Sequence, residues 1–151
     1  MSDENPTIDD PALGTLVRAR SELTDGTVLA HDWFVGTVTV DGAELELMVE
    51  GMTPDEVLPL LPRLRETVAR LEELRRIATD AVVTNFSTGE PEPSELDDAA
   101  TDLVLETVEA SSDGGIVLHL TDSCGEHFPE EYWPAVHFGT DGAVEKVTVE
   151  S

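Results

Sequence analysis

Three histidines and the single cysteine are the side chains whose types and spacing could bind a metal ion. Cys124 and His127 have a C-x-x-H spacing, which lets a tight turn hold one ion, and thiolate and imidazole suit Zn²⁺. His119 and His137 are predicted on the outward faces of two strands, so that all four side chains could converge. A zinc site at His119, Cys124, His127 and His137 is therefore one hypothesis. The alternative is two exposed strand histidines and a small thiol in a loop.

The same segment offers weaker indications of catalysis. A nucleophilic Cys124 would need a lowered thiol pKa, but the flanking Asp122 and Glu126 would raise it. Glu130 and Glu131 could act with a histidine as acid and base, although adjacent carboxylates are expected by chance in so acidic a chain. Phosphate-binding glycine loops, nucleophile elbows and zinc-protease motifs do not occur in the sequence. We therefore predict no catalytic residues, no cofactor and no enzymatic activity.

Charge excludes several classes of partner. The 151 residues include 33 Asp and Glu but 8 Lys and Arg, for a net charge of -25. Binding to nucleic acids and docking on anionic lipid both need a basic surface, so the charge excludes them. A membrane span is excluded as well, because no apolar run approaches the roughly 20 residues that it needs. This composition is typical of halophilic proteins in a salt-rich cytoplasm, where ions screen self-repulsion. An acidic surface that binds a basic partner is the open alternative.

Location and domain organisation are predicted from the N-terminal segment and the cysteine content. MSDENPTIDD lacks the basic and apolar regions of a secretory signal, and a lone cysteine fits a reducing compartment. We therefore expect a cytoplasmic protein. Residues 1–11 are predicted to be a disordered acidic leader, and residues 12–151 a single α+β domain.

An Asp-Gly pair between two alternating segments predicts a β-hairpin at residues 33–50. The two-residue turn at 41–42 fixes the pairs Val40 with Ala43, Val38 with Leu45, Gly36 with Leu47 and Phe34 with Val49. Apolar side chains then share one face and glutamates the other, and a one-residue slip would bury the glutamates. A second Asp-Gly pair at 141–142 predicts a closing hairpin.

The middle of the chain predicts helix. Thr53-Pro54-Asp55-Glu56 is a capping box with proline at the first helical position. Prolines 59 and 62 predict a short first helix and a new start near Pro62. Apolar residues then recur at helical spacing from Leu64 to Val82. The predicted fold class is α+β: an antiparallel β-sheet built from hairpins, with one long α-helix packed on one face.

This order of elements resembles a family of small prokaryotic proteins, the domain of unknown function number two thousand and four. The resemblance covers about residues 13–151 and rests on HDWFVGTVTVDGAELELMVEG, the capped helix and the terminal TDGAVEKVTVES. It implies an α+β fold and a cytoplasmic location, but neither an activity nor catalytic residues. The proline-interrupted helix start and the segment from Cys124 to His127 depart from the family pattern.

The function predicted from these observations is a non-enzymatic protein-binding module. Its binding surface would be the acidic sheet face or the connection from Asp122 to Tyr132. An immunity-type protein that binds a basic nuclease toxin is one form of this function, since opposite charge speeds association. Two alternatives remain: a metal-binding protein or metal-dependent hydrolase at the His and Cys cluster, and a structural homodimer that pairs through an edge strand.

Overall fold

The computed structural model describes residues 7–40, 42–123 and 131–150. In these ranges, eight strands form one sheet, and their spatial order follows their order in the sequence. The strands are β1 (Thr7–Asp10), β2 (Gly14–Glu22), β3 (Val28–Val40), β4 (Ala43–Glu50), β5 (Leu103–Ala110), β6 (Ile116–Asp122), β7 (Trp133–Phe138) and β8 (Val144–Glu150). All neighbouring strands are antiparallel except β4 and β5, which run parallel.

Helices fill the connection between β4 and β5. They are α1 (Pro54–Val57), a 3₁₀ turn (Leu58–Leu60), α2 (Leu61–Ala69), α3 (Leu71–Phe86) and α4 (Pro93–Asp102). The hydroxyl oxygen of Thr53 accepts a hydrogen bond from the N–H of Glu56 at 3.4 Å, as the capping box predicts. The short first helix and the new start beside Pro62 are confirmed as well.

The predicted fold class is wrong in two respects. The sheet is mixed, because the helical connection returns the chain parallel to β4, and parallel strands require a crossover of this kind. The long helix is also absent from the described residues, where the longest helix has 16 residues. The helix breaks at Arg70, whose backbone leaves the helical region at φ -111° and ψ 25°. The sequence contains no proline or glycine at this break, and the helical spacing of apolar residues continues through it. The break therefore could not be predicted from the sequence.

The first hairpin forms as predicted. β3 and β4 pair Val40 with Ala43 and Phe34 with Val49, together with the two predicted pairs between them. The hairpin of β7 and β8 has a longer loop, in which the N–H of Gly139 donates to the carbonyl of Ala143 at 2.9 Å. Trp33 pairs with Glu50 and Trp133 with Glu150. The outermost residue pair of each hairpin is therefore a tryptophan opposite a glutamate.

The structure differs from the predicted leader at residues 7–10, which form β1 and pair with β2. The side chain of Asp10 is 2% exposed, and its Oδ1 accepts a hydrogen bond from Arg65 Nε at 2.8 Å and forms an ion pair with Nη2 at 2.7 Å. Its Oδ2 accepts from the N–H groups of Ala12 and Leu13. A buried carboxylate with three hydrogen-bond donors and an ion pair thus ties β1 to α2, an interaction that acidic composition alone does not reveal.

One hydrophobic core joins the helices to one face of the sheet. Its sheet residues include Leu16, Phe34, Leu47, Val108, Leu118 and Val136. Its helical residues include Leu61, Leu64, Leu74, Ala78 and Val82. We call the opposite face, with Glu46, Thr107, His119 and Thr148, the polar face of the sheet. Alternation in the strands therefore separates the core from a surface rich in hydrogen-bonding side chains.

Candidate functional site

His119 lies at the centre of a hydrogen-bonded group on the polar face. Its Nε2 lies 2.9 Å from Oε1 of Glu109 on β5, and Nε1–H of Trp133 on β7 donates to its Nδ1 at 3.1 Å. An indole nitrogen is only a donor, so Nδ1 must carry the lone pair and Nε2 the hydrogen. This hydrogen bond from His119 lowers the pKa of Glu109 below its ordinary value, although burial opposes the shift. The group therefore consists of a carboxylate, an imidazole and an indole that hydrogen bonds hold in a fixed orientation.

A second chain of hydrogen bonds includes His137. The hydroxyl of Thr148 donates to Oε2 of Glu150 at 2.6 Å, so Nε2–H of His137 donates to that hydroxyl at 2.9 Å. Burial and then the positive charge of Lys146 lower the pKa of His137 from 6.5. Both effects favour the neutral form of the imidazole.

The residues of the predicted zinc site are only partly placed by the structure. His119 and His137 share the polar face, but both ring nitrogens of His119 already have protein partners. Cys124 and His127 lie outside the described residues. Within residues 7–40, 42–123 and 131–150, no three His, Cys, Asp or Glu side chains are grouped so as to hold an ion. The zinc hypothesis and the Cys124 nucleophile stay predictions.

The acid and base pair predicted from Glu130 and Glu131 is likewise only half described, because Glu130 lies outside the described residues. Glu131 is exposed. The imidazole of His119 bonds instead to Glu109, and that of His137 to Thr148. The carboxylate that orients an imidazole here is thus one from β5, which no local motif indicated.

An apolar groove lies on the other side of the sheet, where the end of α3 meets α4 and β8. It encloses about 600 Å³. Its apolar lining includes Val82, Val83, Phe86, Leu103, Tyr132 and Val149. Phe86 is 53% exposed, Tyr132 48% and Val149 46%, so three large apolar side chains meet water at one place. Exposed apolar surface concentrated in a concave site is typical of binding sites.

The charge at the groove is negative. Glu95 and Asp98 of α4 contribute to its lining. Two arginines of α3 have partners within the helical segment. Arg76 binds Asp80 of its own helix and Asp97 of α4 at 3.0 and 2.9 Å, and Arg75 donates to the carbonyl of Ala100 at 2.7 Å. Among the ion pairs of the described residues, none includes Glu95 or Asp98.

Sequence reasoning missed this groove as a site. Phe86, Tyr132 and Val149 come from three distant segments, and each is apolar in a pattern that equally predicts core. The one available indication was the predicted binding role of the connection that ends at Tyr132.

Comparisons with known proteins leave the family open. No protein-family model, no curated protein and no solved structure matches the chain. The resemblance to the domain of unknown function number two thousand and four stays a prediction. No helix in the described ranges has the length and apolar character needed to cross a membrane.

The first testable prediction concerns the tautomer of His119. In its neutral form we expect a single species with the hydrogen on Nε2, because the Trp133 N–H occupies Nδ1. Nitrogen NMR of the imidazole should give an unprotonated Nδ1, and Trp133→Phe should give a mixture of tautomers. A protonated Nδ1 in the unsubstituted protein would contradict the hydrogen-bond assignment.

Proposed function

We propose that this chain is a non-enzymatic protein-binding module, and that its apolar groove docks a basic, partly apolar segment of a partner protein. The observation that carries the proposal is the groove itself, which combines exposed Phe86 and Tyr132 with the carboxylates of Glu95 and Asp98. Aromatic side chains in concave surfaces supply most of the binding energy in many interfaces. An acidic border selects a partner of opposite charge and speeds its approach.

The net charge of -25 supports a basic partner more than an acidic or neutral one. A basic toxin bound by an immunity-type protein is one such partner. A small neutral ligand is the competing class, since about 600 Å³ falls within the range of small-molecule pockets. The carboxylates beside the groove favour the basic segment, because they would lie unpaired against a neutral ligand.

The test uses two synthetic peptides of identical composition, containing lysine, valine and phenylalanine. In the alternating peptide lysine occupies every second position, and in the helical-period peptide the apolar residues recur every three or four positions. We expect one of them to bind, and Phe86→Ala to weaken that binding about tenfold or more, the loss of a central aromatic contact.

The matched control is Ile77→Ala, which removes another exposed apolar side chain of α3 outside the groove. It should leave peptide affinity within about twofold, since peripheral contacts contribute little. Binding that is equally sensitive to both substitutions, or no binding of either peptide at low salt, would contradict the proposal. Binding of neutral Nile red in the groove without either peptide would favour the small-molecule class instead.

A further inference from the structure

We infer that the partner segment binds in extended form, as an added strand on the free edge of β8, with alternate side chains in the apolar groove. This inference rests on the proposed function and specifies how the partner is held. Among the described strands β8 is the last in the sheet, and it pairs with β7 alone. In the part of the chain that the structure describes, no strand pairs with its outer row of N–H and C=O groups, and such an edge can bind a further strand.

The two edges of the sheet are not equivalent. Within the described residues β1 has 4 residues, whereas β8 has 7 and contains no proline. A strand of ordinary length is 5–6 residues, so β8 can bond to a whole strand of a partner. The groove also adjoins β8, since Val149 contributes to its lining.

Strand geometry connects the edge with the groove. Val149 pairs with Pro134 of β7 and contributes its side chain to the groove. In an added strand, the residue opposite Val149 would point to the same face, about 5 Å away between Cβ atoms. Its apolar side chain would thus point towards the groove that Val149 lines. The next residue would point to the polar face, which carries Glu150.

Charge identifies the occupant as a basic segment rather than a second copy of this chain. β8 carries Glu145 and Glu150 against one cation, Lys146, and each copy has a net charge of -25. Acidic side chains on an edge strand discourage pairing with an identical edge. A lysine- or arginine-rich strand would neutralise these carboxylates together with Glu95 and Asp98.

The experiment uses the full chain and N-methylated forms of the alternating peptide, about nine residues long. One form is methylated at the even positions and the other at the odd positions. An added strand bonds to β8 through one edge only, because backbone groups of successive residues point to opposite sides. We therefore expect one form to lose affinity by about tenfold or more and the other to stay within about threefold. Hydrogen exchange of β8 amides should slow when the unmodified peptide binds.

Failure of this inference differs from failure of the proposed function. If both methylated forms bind equally well, or if only the helical-period peptide binds in a Phe86-dependent way, the groove is a docking site but strand addition is wrong. If neither unmodified peptide binds, the proposed function itself is wrong. If β8 amides are already protected without peptide, and protection increases with protein concentration, the edge is occupied by a second copy and the inference is overturned.

Discussion

Replacing Phe34 with alanine is expected to lower the free energy of unfolding by about 3–5 kcal/mol, the range measured for buried aromatic residues. Phe34 is 0% exposed and lies on β3, in the core between the sheet and the helices. Phe34 pairs with Val49 inside the sheet, and the structure around such a deletion relaxes only partly, so a cavity remains. The free energy of unfolding of a typical domain is about 5–15 kcal/mol, so the substitution would remove a large part of the stability. Denaturant unfolding measures the change.

Phe86→Ala is the matched control for this substitution. Phe86 is 53% exposed, and a surface substitution usually changes stability by about 0.5 kcal/mol or less. We therefore expect Phe34→Ala to lower the free energy of unfolding, and Phe86→Ala to weaken peptide binding without a comparable loss of stability. Equal destabilisation by both would show that the groove is part of the core rather than a binding surface.

Replacing Asp10 with alanine is expected to lower the free energy of unfolding by about 2–3 kcal/mol. The substitution removes the acceptor of the buried N–H of Leu13 and of the partly buried N–H of Ala12, and an unsatisfied buried donor costs about 1–3 kcal/mol. It also removes the partner of Arg65. The side chain of Arg65 is 44% exposed, so water can solvate the guanidinium, and the loss stays below that of a fully buried ion pair.

This ion pair also determines part of the pH dependence of stability. The hydrogen bond from Arg65, followed by those from Ala12 and Leu13, lowers the pKa of Asp10 below its ordinary value of 3.8 and outweighs burial. A carboxylate with a lowered pKa contributes stability above its unfolded pKa, and this contribution is lost as pH falls through the folded pKa. Below about pH 4 the unsubstituted protein should therefore lose stability more steeply than Asp10→Asn.

Asp9→Asn is the control for Asp10, because Asp9 accepts one exposed hydrogen bond from Thr15 at 2.8 Å. The stability of the Asp9→Asn variant, and the pH dependence of that stability, should closely match those of the unsubstituted protein. If Asp9→Asn and Asp10→Asn have the same effect, the contribution comes from general charge repulsion in this acidic chain and not from the pair with Arg65.

Local features of the sequence predicted the elements whose geometry depends on local chemistry. The Asp-Gly turn and the alternation around it determine the register of β3 and β4 down to the pair of Phe34 with Val49. Thr53 and the following proline determine where the first helix begins. In each case the deciding interactions join residues close in sequence, and this is why they can be read without a structure.

The features that were mispredicted depend on contacts between distant residues. The parallel pairing of Glu46 with Thr107 follows from the direction in which the helices return the chain. β1 pairs with β2, and Arg65, far away in sequence, binds its Asp10. The groove likewise forms only when α3, α4 and β8 come together. His119 and His137 were placed on the correct face by strand alternation, but their partners Glu109 and Thr148 could not be identified.

The parallel pair of β4 and β5 also shapes how the chain must fold. Every other pair of neighbouring strands closes a short loop, the longest being residues 123–132, whereas β4 and β5 are separated by residues 51–102. For a flexible chain of that length, the logarithmic closure term amounts to about 3–4 kcal/mol of entropy. Two meanders of four strands can therefore assemble from local contacts, and the join between them is the non-local step. Non-local pairings slow folding, so we expect the pairing of β4 with β5 to be the slowest step in forming the sheet.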